Sequence, residues 1–209
     1  MTLAQFVGSL TADVVFFGAH TSRAEIAGFL TGIVSVFLAV RVNVWNWPIG
    51  ILNNLLYVVV FYQGRLFADM SLQVVYIVIS GWGIYQWMRG VNGRAAVPIR
   101  RAPVRELIAL ALIVAIATAV NAAYLARFND AAPVLDALTA IASLGAQYLL
   151  ARKYLENWYL WIAIDIVSVG LYVTKGLGLT AVLYAIFLVM CIVGAVSWQR
   201  TMQKSALAA

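Results

Sequence analysis

Two stretches of the chain, RVNVWNW at residues 41–47 and RKYLENW at residues 152–158, carry arginine, asparagine and tryptophan at matching positions. They lie 111 residues apart, and the same offset pairs Trp87 with Trp198. Such matches over a long segment indicate an internal repeat in one chain direction, and a repeat fixes the architecture before any local pattern is considered. The sequence therefore predicts two parallel copies of one structural unit.

The composition indicates a membrane protein. Hydrophobic residues make up 64% of the 209 positions and charged residues 11%, against about half and about a quarter in a soluble domain. Several apolar runs reach the ~20 residues that are needed to cross a bilayer. The net charge of +6 does not indicate nucleic-acid binding, because the basic residues lie between the apolar runs and form no patch interleaved with aromatic residues.

Cofactor and metal chemistry has little support in the sequence. Cys191 is the only cysteine and His20 the only histidine, so disulfides and cysteine-based metal sites are excluded and histidine-based sites have little scope. We expect no metal and no cofactor. The N-terminus lacks the basic region of a cleaved signal peptide, and residues 3–18 are predicted to form a short interfacial helix.

Seven membrane-spanning helices are predicted, and the fold class is an all-α integral membrane protein. The first three spans correspond to the last three. The fourth span crosses the membrane once more, so both groups of three begin on the same side, and the plan is a parallel 3+1+3 repeat. The predicted spans are residues 24–42, 46–63, 67–88, 105–126, 132–151, 157–174 and 178–199. The first half is predicted to contain a peripheral N-terminal segment (1–23), a first repeat of three helices (24–88) and a basic linker (89–104). A linker helix (105–126), a second repeat of three helices (132–199) and a C-terminal tail (200–209) follow.

The basic residues predict the orientation in the membrane. Ten of the fourteen lysines and arginines fall on one side of the predicted spans and four on the other. Because loops rich in lysine and arginine remain in the cytoplasm, the N-terminus is predicted outside and the C-terminus in the cytoplasm. The stretch Arg89–Arg105, with two prolines and two glycines, is predicted to be a cytoplasmic linker that acts as an orientation signal near anionic lipid.

Six of the spans carry polar, small or aromatic residues along one face at helical spacing. Polar groups within a span are costly and usually face a bundle interior or a water-filled path. The stripe of the sixth span consists of Trp158, Trp161, Asp165, Ser168 and Tyr172. Small residues on these faces are predicted to allow close helix packing, and tryptophans at the cytoplasmic ends to anchor the membrane interface. The small residues are Gly28, Gly32, Ser80, Gly83, Ser143 and Gly194, and the tryptophans are Trp87 and Trp198.

Asp165 is predicted to lie well inside the bilayer, about 10 Å along the helix from Trp158. Two interpretations stay open for it: direct contact with a ligand, or a structural partner such as Asn54 or Tyr57 in the other repeat. Glu25, near an outer helix end, suits a helix N-terminus.

The residue types on these faces favour recognition over bond-making. Aromatic rings attract a flat cation, and the carboxamides of Asn54 and Gln73 offer both donors and acceptors. A carboxylate at Asp165 would favour a positive ligand. A phosphorylated ligand is disfavoured, because no arginine or lysine lies deep in the spans. The predicted ligand is a neutral-to-cationic, aromatic, hydroxylated small molecule, carried between parallel repeats as in small-solute transporters.

At these residues the chain resembles the PnuC family of bacterial vitamin transporters. The resemblance covers roughly residues 24–199 and rests on several motifs. They are Trp47-Pro-Ile-Gly50, Asn54-x-x-Tyr57, Asp69-Met-x-Leu-Gln73, Asp165-Ile-Val-Ser168, Leu171-Tyr172, Lys175-Gly176-Leu177 and Thr180-Ala-Val-Leu-Tyr184-Ala-Ile-Phe187.

The resemblance implies a fold similar to the sugar-transporting SWEET proteins and uptake of nicotinamide riboside across the inner membrane by facilitated diffusion. It also implies a homo-oligomer and functional coupling to a cytoplasmic kinase that phosphorylates the product. The substrate contacts of the family, carried over by position, fall on Trp47, Asn54, Tyr57, Gln73, Tyr76, Trp158, Trp161, Asp165 and Tyr184.

Other functions are less well supported. The same fold could carry thiamine, also an aromatic cation, or the larger neutral riboflavin. A retinal-binding photoreceptor would need a lysine buried in the last span, where the sequence has none. A membrane enzyme would need a metal set, a nucleophile–base pair or close paired carboxylates, and His20 with the dispersed acids does not supply one.

Overall fold

The computed structural model describes Gly8 and residues 12–16, 19–63, 65, 67–89, 97–128, 133–174 and 178–207. Within these ranges the fold contains seven long helices, one short hairpin and a short 3₁₀ helix at Ala126–Phe128. The hairpin pairs β1 (Asp13–Phe16) with β2 (Ala19–Ser22). The helices are α1 (Arg23–Val40), α2 (Asn46–Gln63), α3 (Phe67–Met88), α4 (Val104–Leu125), α5 (Pro133–Ala151), α6 (Glu156–Thr174) and α7 (Gly178–Leu207).

The seven predicted spans correspond to the seven helices with ends that differ by at most two residues, except at the C-terminus. There α7 continues to Leu207, eight residues beyond the predicted span, because no glycine or proline interrupts residues 195–207. Among the described residues, α1, α4, α5, α6 and α7 are long and apolar enough to cross a membrane. The amides and carboxylate of α2 and α3 lower the mean hydropathy of those two helices.

The N-terminal segment departs from its prediction. Residues 13–16 form an antiparallel strand with residues 19–22, so the predicted interfacial helix is wrong there. Val14, Val15 and Phe16 are β-branched or aromatic side chains that favour an extended chain. Gly8 is helical, as predicted, and Ala12 is not. Residues 3–7, 9–11, 17 and 18 lie outside the described residues.

A capping box begins α1 directly after the hairpin. The Ser22 hydroxyl accepts a hydrogen bond from the Glu25 backbone N–H at 3.2 Å, and Glu25 Oε2 accepts one from the Ser22 N–H at 2.6 Å. Each group satisfies a backbone donor that the helix itself leaves unpaired. Glu25 is therefore a helix-capping residue, as its position near a helix end suggested.

The loops α1–α2 and α5–α6 have the same backbone geometry. Val42 and Lys153 both adopt a left-handed conformation, with φ of 55° and 54°. The carboxamides of Asn46 and Asn157 donate to the carbonyls of Asn43 and Tyr154, three residues earlier in each case, at 2.7 Å and 2.6 Å. This bond explains why asparagine occurs at both positions: its side chain satisfies a loop carbonyl while its own residue begins the next helix.

The chain forms two compact units, residues 1–84 and 85–209. In the first unit α1 packs against α2, and in the second α5 packs against both α4 and α6, and α6 against α7. The segment before α4 also belongs to the second unit. There Arg100 forms a parallel bridge with Tyr154, and the Ala102 N–H donates to Glu156 Oε2 at 2.8 Å.

Candidate functional site

The second unit contains a carboxyl group at the middle of an apolar helix. Asp165 is only 2% exposed and lies about 13 Å of helix from either end of α6. The Cys191 thiol on α7 donates a hydrogen bond to it, while its Oδ2 atom has no partner among the described residues. Within the second unit, Cys191 is therefore a partner of Asp165.

An aromatic cluster lies near the C-terminal end of α6, between α6 and α7. The rings of Tyr172 and Tyr184 stack with centroids 5.1 Å apart and an interplanar angle of 22°. Phe187 meets Tyr184 edge-on at 6.2 Å. All three rings are half-buried, so part of their surface remains open. Of the three, Tyr184 is a predicted site residue, while Tyr172 and Phe187 belong to the predicted stripes.

Three tryptophans pack together in the second unit, where α6 and α7 meet. Trp158 and Trp198 contact edge to face with centroids 5.5 Å apart, and Trp87 lies 6.2 Å from Trp198. The Trp87 indole donates to the Leu150 carbonyl at 3.3 Å. Trp198 is fully buried and Trp87 is 5% exposed. Their interpretation as membrane-interface anchors is therefore wrong, because both rings are enclosed by protein.

In each of the two units, a tryptophan ring packs directly on a glycine. A Cβ atom at Gly83 would lie 2.6 Å from ring carbons of Trp47, and one at Gly194 would lie 2.7 Å from ring carbons of Trp158. Trp47 and Trp158 are 1% and 2% exposed. The prediction that these glycines serve close packing is confirmed. The two tryptophans fill the space that the missing side chains leave.

The first unit places two carboxamides within its helices. Asn54 is buried in α2 and Gln73 half-buried in α3. Among the described residues, neither side chain makes a hydrogen bond. The neighbouring Asn53 has a different role: its amide donates to the Gly28 carbonyl and to the Thr31 hydroxyl, the latter at 3.1 Å.

The remaining predicted site residues are half-buried aromatic side chains. The Tyr57 ring on α2 packs against Gly28, whose added Cβ would lie 2.9 Å away, and stacks on Phe61 at 5.7 Å. Tyr76 lies on α3 of the same unit. Trp161 lies on α6 and packs against the cluster of Ala142, Ala146 and Ile164.

Comparison with known proteins identifies the family. Residues 22–200 match the family described as nicotinamide mononucleotide transporter. The chain belongs to this family. The resemblance to PnuC transporters that the motifs indicated is thereby confirmed.

Curated relatives in this family are transporters of more than one vitamin. The riboflavin/roseoflavin transporter RibM of Streptomyces davaonensis is 28% identical over 188 residues, which cover 88% of each chain. The nicotinamide riboside transporter PnuC of Escherichia coli is 25% identical and covers 87% of each chain. That of Neisseria mucosa is 26% identical over 97% of this chain and 81% of its own.

A solved structure shares the fold. The crystal structure of the vitamin B3 transporter PnuC superposes with a TM-score of 0.66 at 22% identity, covering 98% of this chain and 99% of its own. Together with the five strongly apolar helices, the family match makes the chain a multi-pass membrane protein related to transporters.

The sequence stripes missed some of the groups that shape these sites. Cys191, Tyr172 and Phe187 lie on the predicted faces but were not assigned to a site, and their helical spacing to Asp165 and Tyr184 was the available signal. Asn53 lies outside the predicted stripes, and its bond to the Gly28 carbonyl is visible only once α1 and α2 are packed. In the described part of the chain, no three metal-ligating side chains come together.

Proposed function

We propose that the protein takes up nicotinamide riboside across the membrane by facilitated diffusion. The observation that carries this proposal is Asp165, a buried carboxyl group at mid-helix with one oxygen free of hydrogen bonds in the described structure. Such a group inside a span is costly and marks a substrate path by default. A carboxylate favours a positive ligand, and nicotinamide riboside is a pyridinium cation on a ribose.

Seven of the nine predicted site residues are the proposed recognition groups. Tyr184 and Trp161, with Asp165, would meet the pyridinium from the second unit, because aromatic faces and a carboxylate both attract a flat cation. Asn54 and Gln73, whose amides make no bond within the described structure, would bind the carboxamide and ribose hydroxyls. Tyr57 and Tyr76 complete the proposed lining. Trp47 and Trp158 would support the lining without contacting the ligand, because they hold neighbouring helices together through their contacts with Gly83 and Gly194.

The architecture behind this proposal is the parallel 3+1+3 repeat, similar to the SWEET proteins. Helices α1–α3 and α5–α7 would be the repeats, and α4 the linker helix. The equal loop conformations of Val42 and Lys153, with the matching asparagine bonds, support it. So does the tryptophan-on-glycine contact that occurs in both repeats. Transport would then proceed by rocking of the two bundles about a central site, without proton or sodium coupling.

We further propose the bacterial inner membrane as the location, with the N-terminus outside and the C-terminus in the cytoplasm. The ten-to-four bias of basic residues supports this orientation. A homo-oligomer and a cytoplasmic kinase that traps the product remain proposals from the family resemblance. So does the absence of catalysis, which the transporter relatives favour.

Riboflavin is the second candidate substrate, because the relative that covers 88% of the chain at 28% identity is a riboflavin transporter. Thiamine, a cation, is a third. Isothermal titration of the purified protein with each vitamin under identical conditions separates them. Micromolar binding of nicotinamide riboside alone supports the proposal. Binding of riboflavin or thiamine instead of nicotinamide riboside would be consistent with vitamin transport but would assign the chain to members of the family with a different substrate.

A further inference from the structure

A basic cavity of about 260 Å³ lies at the C-terminal ends of α3 and α5. It belongs entirely to the second unit. Three of its lining residues are arginines, contributed by the end of α3, by the segment before α4 and by the α5–α6 loop. The lining consists of Gln86, Arg89, Val97, Arg100, Ala151 and Arg152.

A tyrosine orients each of the three guanidinium groups. Arg89 lies 4.6 Å over the ring of Tyr85 and donates to its hydroxyl at 2.7 Å. Arg100 lies 4.9 Å over the ring of Tyr154, and Arg152 donates to the Tyr154 hydroxyl at 3.1 Å. Side chains held in this way lose less conformational entropy when a ligand binds.

The positive charge of the cavity is only partly compensated. Arg152 pairs with Glu106 at 3.5 Å, but neither Arg89 nor Arg100 has an ion pair with any described residue. Helix C-termini favour a nearby cation, which could account for Arg89 and Arg152. The described residues 97–99 before Arg100 are not helical. The Arg100 backbone is fixed against the α5–α6 loop by bonds to the Lys153 carbonyl and the Leu155 N–H, at 3.1 Å and 3.0 Å.

We propose that this cavity binds a phosphate group. The planar guanidinium presents paired donors that match phosphate oxygens, which a lysine cannot reproduce. Two uncompensated arginines with a third beside them provide both the charge and the geometry. The cavity lies where three membrane helices begin or end, so the phosphate could belong to an anionic phospholipid headgroup or to a free phosphate. Both have the same chemistry.

The test uses the full-length protein in nanodiscs and has two arms. In neutral phosphatidylcholine discs, binding of inorganic phosphate is measured by isothermal titration against chloride at equal ionic strength. In the second arm, retention of phosphatidylglycerol is measured by native mass spectrometry. The test variant is Arg89→Gln with Arg100→Gln. The control is Arg41→Gln with Arg105→Gln, which removes the same charge from exposed positions that do not line the cavity.

Binding in the first arm identifies free phosphate, and retention in the second alone identifies the lipid. In either case we expect the cavity variant to lose at least about tenfold in affinity, since charged hydrogen bonds are lost, and the control less than about twofold. No binding in both arms, or equal weakening by the control, overturns the proposal. If the glutamine variant does not fold, Arg89→Lys with Arg100→Lys, which keeps the charge, tests the same proposal. A phosphate affinity unchanged from wild type in this variant would contradict recognition by the guanidinium groups.

Discussion

Asp165 combines burial, a thiol partner and an oxygen without a hydrogen bond in the described structure. If its carboxylate pairs with the pyridinium, Asp165→Asn should weaken nicotinamide riboside binding about tenfold. The same substitution should change binding of the uncharged dihydropyridine form by less than about threefold. Isothermal titration of both ligands provides the comparison.

Asp69→Asn is the control for that substitution, because Asp69 is an exposed carboxylate in the first turn of α3. It should leave both affinities unchanged. An equal loss for the charged and uncharged ligands in Asp165→Asn would remove charge pairing from the account and leave Asp165 a structural partner of Cys191.

Gly83 and Gly194 are predicted to tolerate no side chain. Because an added Cβ would lie within 2.7 Å of a tryptophan ring at both positions, Gly83→Ala and Gly194→Ala should each destabilise the protein by about 1–3 kcal/mol. Gly81→Ala and Gly170→Ala on α3 and α6 are matched controls, since nothing lies within 4 Å of their added Cβ. Thermal unfolding in detergent measures all four. Equal midpoints for Gly83→Ala and Gly81→Ala would refute the packing role.

At the residue scale, the sequence identified Asp165 and the packing glycines but not their partners. A glycine that recurs at the 111-residue offset, on a helix face rich in small residues, predicts close approach without saying which ring approaches. The pairing of Asp165 with Cys191 depends on the rotation of α6 against α7, which spacing along one helix cannot determine. For the same reason Trp198 was placed at the membrane interface, whereas its ring is enclosed against Trp158.

At the scale of elements, Glu156 attaches the segment before α4 to the start of α6. It accepts the Ala102 N–H at 2.8 Å and pairs with Arg101 at 3.6 Å. Glu156→Ala should release this segment, so trypsin should cleave after Arg100 or Arg101 several-fold faster than in the wild type, since local opening sets the cleavage rate. Glu156→Gln keeps the acceptor and loses only the exposed ion pair, so its cleavage rate should stay near wild type. Equal rates in all three proteins would contradict the anchoring role.

Helix positions were largely predictable because each helix is a long run rich in apolar residues, and several helices have a residue at one end that starts them. Pro133 begins α5, and Ser22 caps α1. The errors occurred where that signal is weak. The segment Asp13–Phe16 is too short for helical periodicity, and its β-branched residues pair with Ala19–Ser22. No residue stops α7 at the membrane surface, so it extends to Leu207.

At the scale of the whole molecule, the 111-residue offset predicts the repeat architecture, and the observed match is in the two loops that it relates. The loops of Val42 and Lys153 repeat bond for bond. The substrate was less predictable, since aromatic and amide side chains suit several vitamins and the relatives themselves carry different ones. Ligand choice depends on the shape of the whole binding site, which no single motif specifies.

Facilitated diffusion makes a prediction about energy coupling. Among the described residues of the helices, Asp165 is the one buried carboxyl group, and a single acid does not form a proton relay. Uptake of nicotinamide riboside into proteoliposomes should therefore proceed at the same rate, within about twofold, with and without an imposed proton gradient. An ionophore serves as the control. A rate that follows the gradient would show coupling.

The most direct test of the account is equilibration of labelled nicotinamide riboside in proteoliposomes, with protein-free liposomes and Asp165→Asn as controls. The internal concentration should rise to the external value and stop there, the recovered ligand should have unchanged mass, and Asp165→Asn should enter more slowly. Entry no faster than in protein-free liposomes, accumulation above the external concentration, or a chemically altered ligand would contradict it.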